Sequence, residues 1–130
     1  MVIEKKKMYK LCLKTSFSAA HHLKETPSLK TKKCQRIHGH NYDVFVEIET
    51  KELKDDMVID YGEIKESINW LDHKDLNEFF DNPTTEKICE YILMRLALLM
   101  EGRNLSCRIK VTVKESPNSS ITCDYENKNQ

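Results

Sequence analysis

Four of the five histidines stand in two short stretches, "FSAAHHL" (17–23) and "CQRIHGHNY" (34–42); the fifth lies in "LDHKDLNE" (71–78). His21 continues the parity of Leu11, Leu13, Phe17 and Ala19. His38 and His40 share the parity of Tyr42, Val44, Val46 and Ile48. Successive side chains of a strand point to opposite faces. If the two stretches are antiparallel neighbours, the end of the first meets the start of the second, and His21, His38 and His40 converge. Three neutral imidazoles with an open fourth position make a catalytic zinc site, whereas structural zinc sites are closed by four protein ligands. Gly39, between two of these rings, permits backbone angles that other residues resist. The plainer alternative is three strand-end histidines, each hydrogen-bonded locally, since spacing alone produces false matches. His22 has the opposite parity and is expected to turn its ring outward.

Other residues near these histidines can move protons or bind a ring. Cys34 lies among Lys32, Lys33 and Arg36. Nearby positive charge lowers a thiol's pKa and makes the thiolate a usable base or nucleophile, although a structural thiol fits the position equally well. Asp72-His73 reads either as a capping carboxylate and a helix-end histidine, or as a dyad in which the carboxylate orients the imidazole for proton transfer. Glu115 interrupts the apolar face of Ile109, Val111 and Val113. A carboxylate is almost never fully buried unless paired, so it lies either past the sheet edge or against a partner with two N–H donors, such as a 2-amino-4-oxo pyrimidine ring. Thr84 and Thr85, at a helix start, can add hydroxyls to that ring or merely cap the helix. The loop 24–36 holds five basic residues against one acid; it is a solvated loop or it steers a polyanion.

The elements that must position these groups follow from periodicity. Residues 8–21 and 41–50 alternate as half-buried strands, with Phe45 on the otherwise polar side of the second. Residues 57–71 begin extended and then place Ile64, Ile68 and Leu71 on one helical face. Residues 81–102 predict the clearest helix: Asn82 or Thr84 as cap, Pro83 in the first turn, Ile88, Ile92, Leu96 and Leu99 as the stripe, and Gly102 at C′. Strands at 107–115 and 121–125 follow, joined by the turn "SPNSS". The order strand, strand, helix, helix, strand, strand implies an α+β layer: a four-stranded antiparallel sheet with both helices on one face. Its other face must be wet or covered by another subunit.

At 130 residues the chain reads as one domain, 1–130, frayed at 1–7 and 126–130. Lysine and arginine number 21, as do aspartate and glutamate. That balance argues against a nucleic-acid or membrane surface over the whole molecule. The most apolar run, "YILMRLALLM" (91–100), is too short to span a bilayer. With no signal peptide legible at the start, the expected location is cytoplasmic. Five cysteines without a C-x-x-C pair argue against a disulfide scaffold or a four-cysteine zinc site. Cys12, Cys89, Cys107 and Cys123 are expected to be small buried hydrophobes.

Taken together, "FSAAHHL", "CQRIHGHNY", "MVIDYGEIK", "LDHKDLN", "PTTE" and "VTVKES" resemble, in order and spacing over about residues 9–125, the 6-pyruvoyltetrahydropterin synthase family, which includes bacterial 6-carboxytetrahydropterin synthases. The resemblance implies a tunnelling fold (T-fold), a ββααββ unit whose trimers close into a barrel and stack into a homohexamer. It implies Zn2+ held by His21, His38 and His40. It implies Cys34 as catalytic base, with Asp72 and His73 completing the proton relay across a subunit interface. Glu115 would anchor the pterin ring with the Thr84-Thr85 region. The implied substrate is 7,8-dihydroneopterin triphosphate. Only three residues separate Cys34 from the H-G-H triplet, which resembles the bacterial carboxy branch; animal pyruvoyl synthases carry a longer insertion. Sister proteins with an acid in place of the cysteine make a different product.

Overall fold

The computed structural model describes residues 7–128. Two long strands, β1 (Tyr9–His21) and β2 (His38–Thr50), form an antiparallel pair whose register places Leu11 against Ile48, Leu13 against Val46, Phe17 against Tyr42 and His21 against His38. A shift of one residue would turn every apolar side chain of a strand to the wrong face. The alternation of apolar residues therefore pins the register, and the register delivers the histidines. Strand β4 (Cys107–Ser116) pairs with the far edge of β2, and β5 (Ser119–Asn127) pairs with β4 through a turn at Pro117-Asn118.

The sheet differs from the expected four antiparallel strands in one respect. A fifth piece, β3 (Lys74–Asp75), lies parallel to β1 at Ala19 and Ala20, giving the order β3-β1-β2-β4-β5. Two residues with no apolar alternation leave no periodic signal. Their pairing comes from the chain leaving the first helix beside the open edge of β1. The α+β class stands, with a mixed sheet.

Helix α1 (Tyr61–Asn69) starts at Asp60, whose carboxylate accepts from the Gly62 N–H at 2.9 Å. It buries Ile64 and Ile68, and Leu71 follows them into the core. Helix α2 (Thr85–Gly102) is capped by Thr84 rather than Asn82. Its buried stripe runs Ile88, Ile92, Leu96 and Met100, so Met100 takes the place expected of Leu99. A spacing of four lines these residues up along one ridge of the helix facing the sheet. Gly102 is the last helical residue and not C′; Asn104 supplies the left-handed turn, with φ 59°. Both helices lie on the side of the sheet built from Leu11, Phe17, Val44, Val46, Ile109 and Val111.

The opposite side is polar. Lys10 pairs with Glu49 at 3.3 Å and Lys110 with Glu47 at 3.7 Å. Phe45 sits there between Lys14 and Lys114, each ammonium 5.6 Å from its ring centroid. Cys12 shares this parity and is exposed, contrary to its expected burial, because even-numbered residues of β1 point away from the helices. Cys89 and Cys107 are buried as expected, and Cys123 is half-buried. Burial pushes the Cys89 thiol up to about 12. Strand β5 extends through Asn127, so residues 126 and 127 are ordered in the sheet; residues 1–6, 129 and 130, also expected to fray, lie outside the described residues. Among the described residues no helix is long and apolar enough to cross a membrane.

Candidate metal centre and adjoining site

The antiparallel register brings the last residue of β1 and the first residues of β2 together. The rings of His21 and His38 lie 4.6 Å apart between centroids, His38 and His40 4.9 Å, and His21 and His40 5.1 Å. One nitrogen from each lies within 4.8 Å of the others. This approaches the spacing that one shared ion requires when each nitrogen sits about 2.0–2.1 Å from it. Gly39 needs no special backbone here. Its φ is not positive, and a Cβ would meet the Ala19 carbonyl at an ordinary 3.6 Å.

Backbone carbonyls set the tautomers. His21 Nδ1 lies 2.7 Å from the Pro83 carbonyl oxygen, and His38 Nδ1 lies 2.7 Å from that of Arg36. A carbonyl only accepts, so each Nδ1 carries a proton, and it is Nε2 that presents the lone pair whenever the ring is neutral. This is the arrangement that orients metal-binding histidines. His21 is 1% exposed, and its Nε2 has no hydrogen-bond partner among the described residues; His40 Nε2 is equally buried and equally unbonded. The Glu115 carboxylate approaches His40 Nε2 at 3.4 Å, but outside hydrogen-bonding geometry. Buried nitrogens are rarely left without a partner. A cation would supply that partner, so the residues present fit a metal ion.

The electrostatics agree. Burial pushes His21 below the ordinary histidine range, with the Pro83 carbonyl pulling the other way and His38 and His40 adding to the lowering. Burial also lowers His40, against the raising effect of Glu115. Both shifts favour the neutral ring, which is the ligating form.

Cys34 is half-buried in a single 3-10 turn, Lys32–Gln35. Its carbonyl accepts from Leu23 N–H at 2.8 Å, which ties the basic loop to the chain two residues beyond His21. Asp72 and His73 form a real pair, His73 Nδ1 lying 2.9 Å from Asp72 Oδ2. The other Asp72 oxygen accepts from the Ser18 N–H at 2.8 Å, which holds its carboxyl below the usual range. His73 adopts φ 60°, and its side chain is 85% exposed. Among the described residues, no hydrogen bond or ion pair joins this dyad to Cys34 or to the three clustered histidines.

Glu115 meets two side chains that neither sequence alternative named. Thr85 Oγ1 donates to Oε2, and the His40 ring flanks Oε1. Thr84 acts as the helix cap, its hydroxyl accepting from Lys87 N–H at 3.1 Å. Thr84→Ala is therefore expected to lower stability by about 1 kcal/mol, the usual worth of an N-cap, read as a shift in the urea unfolding midpoint. His22 is half-buried, and Asn77 grips its backbone, where an outward ring alone was expected. Pro83, Arg36, Ser18 and Asn77 were missed as supporting residues. Three of them act through backbone groups, which carry no residue-specific signal.

Fold and site together define a small α+β domain with a cluster of three histidines able to hold a metal ion where two antiparallel strands meet, beside a partly shielded carboxylate. The family model described as 6-pyruvoyl tetrahydropterin synthase matches residues 10–126, and the chain belongs to that family. It is 40% identical over 107 residues to an Archaeoglobus fulgidus protein provisionally named 6-carboxy-5,6,7,8-tetrahydropterin synthase, covering 79% of this chain and 86% of that one. It is 32% identical over 97 residues to the dihydroneopterin monophosphate aldolase of Pyrococcus furiosus, covering 72% and 79%. The solved structure of Caenorhabditis elegans 6-pyruvoyl tetrahydropterin synthase superposes with a TM-score of 0.66 at 27% identity, covering 94% and 97%.

Proposed function

We propose that the protein is a zinc-dependent 6-carboxy-5,6,7,8-tetrahydropterin synthase. It converts 7,8-dihydroneopterin triphosphate and water to 6-carboxytetrahydropterin, acetaldehyde and triphosphate, on the route to queuosine. The observation that carries this reading is the cluster of three imidazoles, two with buried unbonded Nε2 atoms, at the end of the loop that bears Cys34. The A. fulgidus relative's name and the three-residue spacing between Cys34 and His38 favour the carboxy branch over the pyruvoyl branch.

His21, His38 and His40 hold the zinc, which when bound supplies Lewis-acid polarisation of substrate oxygens. Glu115 accepts from the two N–H donors of the pterin edge, and Thr85, already donating to that carboxylate, fixes its rotamer. Thr84 shapes the same helix start. Cys34 takes a proton from the substrate side chain as general base. Asp72 holds His73 by its Nδ1–H and leaves Nε2 to exchange a proton with the substrate. The high exposure of the His73 side chain suits a dyad that meets Cys34 of a neighbouring subunit in a homohexamer, a dimer of trimers. Lys30, Lys32, Lys33 and Arg36 draw in the triphosphate. The proposed place of work is the cytoplasm.

One incubation tests this. Zinc-loaded protein given dihydroneopterin triphosphate is expected to yield 6-carboxytetrahydropterin and acetaldehyde, identified by mass. Accumulation of 6-pyruvoyltetrahydropterin assigns the pyruvoyl activity instead. Cleavage of dihydroneopterin monophosphate in preference to the triphosphate assigns the activity named for the P. furiosus relative. Ligand binding without any turnover leaves a pterin- or zinc-binding module.

A further inference from the structure

The outer edge of β1 between Ser18 and His22 is closed by one short segment, residues 72–77, although only two of these form a strand. Ser18 N–H donates to the Asp72 carboxylate at 2.8 Å, and the Ser18 carbonyl accepts from His73 N–H at 2.6 Å. Ala19 and Ala20 then run alongside Lys74 and Asp75. Beyond Asp75 the chain turns away into a 3-10 turn, Leu76–Glu78, with the Asp75 carboxylate accepting from Asn77 N–H at 3.1 Å. The next outward backbone groups along the chain belong to His22, just past β1, and would lack a strand partner.

The Asn77 side chain meets them. Its Oδ1 accepts from His22 N–H at 2.8 Å, and its Nδ2 donates to the His22 carbonyl at 2.9 Å. A primary amide offers one acceptor and two donors, so a single side chain reproduces the donor–acceptor pair that a further residue of β3 would have presented. The same Nδ2 faces His22 Nε2 at 3.4 Å. Asn82 repeats the device one step on, accepting from Lys24 N–H at 3.0 Å, while the Pro83 carbonyl takes the His21 ring.

We infer that Asn77 is a positioning residue for the metal-binding histidines: its side-chain amide acts as a surrogate strand residue that prevents the end of β1 from fraying and so holds His21 opposite His38. His21 is the last residue of β1, and strand ends fray unless tied down. The inner edge of β1 is tied by β2, through the His21–His38 pairing. Asn77 closes the outer edge immediately after the ligand. This inference rests on the metal-binding reading proposed above.

The test measures zinc affinity by competition with a chromophoric chelator on the full chain, for wild type, Asn77→Ala and Asn77→Leu. Leucine keeps the branched four-heavy-atom skeleton and neutrality of the side chain and removes both hydrogen bonds, so with alanine it separates packing from clamping. Both variants are expected to bind zinc about tenfold more weakly, the low end of what supporting residues contribute. In the metal-free chain the His22 amide is expected to exchange its hydrogen faster in both variants, a readout that needs neither zinc nor turnover. A folded Leu variant within twofold of wild type in affinity, or one whose His22 amide stays protected, overturns the clamp. Wild-type protein that takes up no zinc overturns the metal reading first, and the clamp's role toward it as a consequence.

Discussion

Zinc uptake and turnover are expected to disappear together in His21→Ala. The substitution removes one of three nitrogens from the cluster and leaves two, which cannot fix a cation with one open position. Supporting residues around a metal typically contribute about 10–100-fold in affinity, and loss of a ligand should exceed that. Metal-free stability should fall mainly by the cavity that a ring 1% exposed leaves behind, because two polar effects oppose each other. Alanine strands the Pro83 carbonyl that His21 Nδ1 now satisfies, but it also removes the buried, unbonded Nε2. An unmet buried polar atom costs about 1–3 kcal/mol, so removing one and creating another nearly cancel. The measurement is zinc content after dialysis, alongside a urea unfolding curve of the metal-free protein. A His21→Ala variant that keeps one zinc per chain would show that these rings are not the ligands.

The second large effect separates binding from chemistry. Cys34→Ala should retain zinc at wild-type affinity and lose turnover by about 10²–10⁴, the usual worth of a general base. The fold should survive, since Cys34 holds its loop through backbone groups: its carbonyl accepts from Leu23 N–H and its own N–H donates to the Thr31 carbonyl. Alanine keeps both. Equal turnover in Cys34→Ala and wild type would remove the thiol from the reaction. Unchanged pterin binding with no turnover in either protein would support the binding-module reading.

These two variants rest on residues whose placement follows from strand parity. His21, His38 and His40 were readable because a strand's side chains alternate with a period of two, and because only one antiparallel register buries Leu11, Phe17, Tyr42 and Ile48 together. The same reasoning located Glu115 one step beyond Val113 on the buried face. It placed α2 within a few residues, since its apolar ridge is long and its cap is polar. Cys12 was misplaced when cysteine's preference for burial was set above its own parity, although the parity was visible.

Other features had no pattern to read. Strand β3 is two charged residues held by the edge of β1. Asn77 is one polar residue in a turn until His22 comes alongside it. The direct hydrogen bond from Thr85 to Glu115 joins residues thirty positions apart, which the family resemblance, and no local pattern, brought together. Side-chain type and alternation are local properties, so they announced which groups share a face and which rings can meet. The orientation of those rings depends on the carbonyls of Pro83 and Arg36, and every residue has a carbonyl. Which carbonyl arrives at a given nitrogen is decided only when distant segments pack, and that packing sets the tautomer that lets a histidine bind metal.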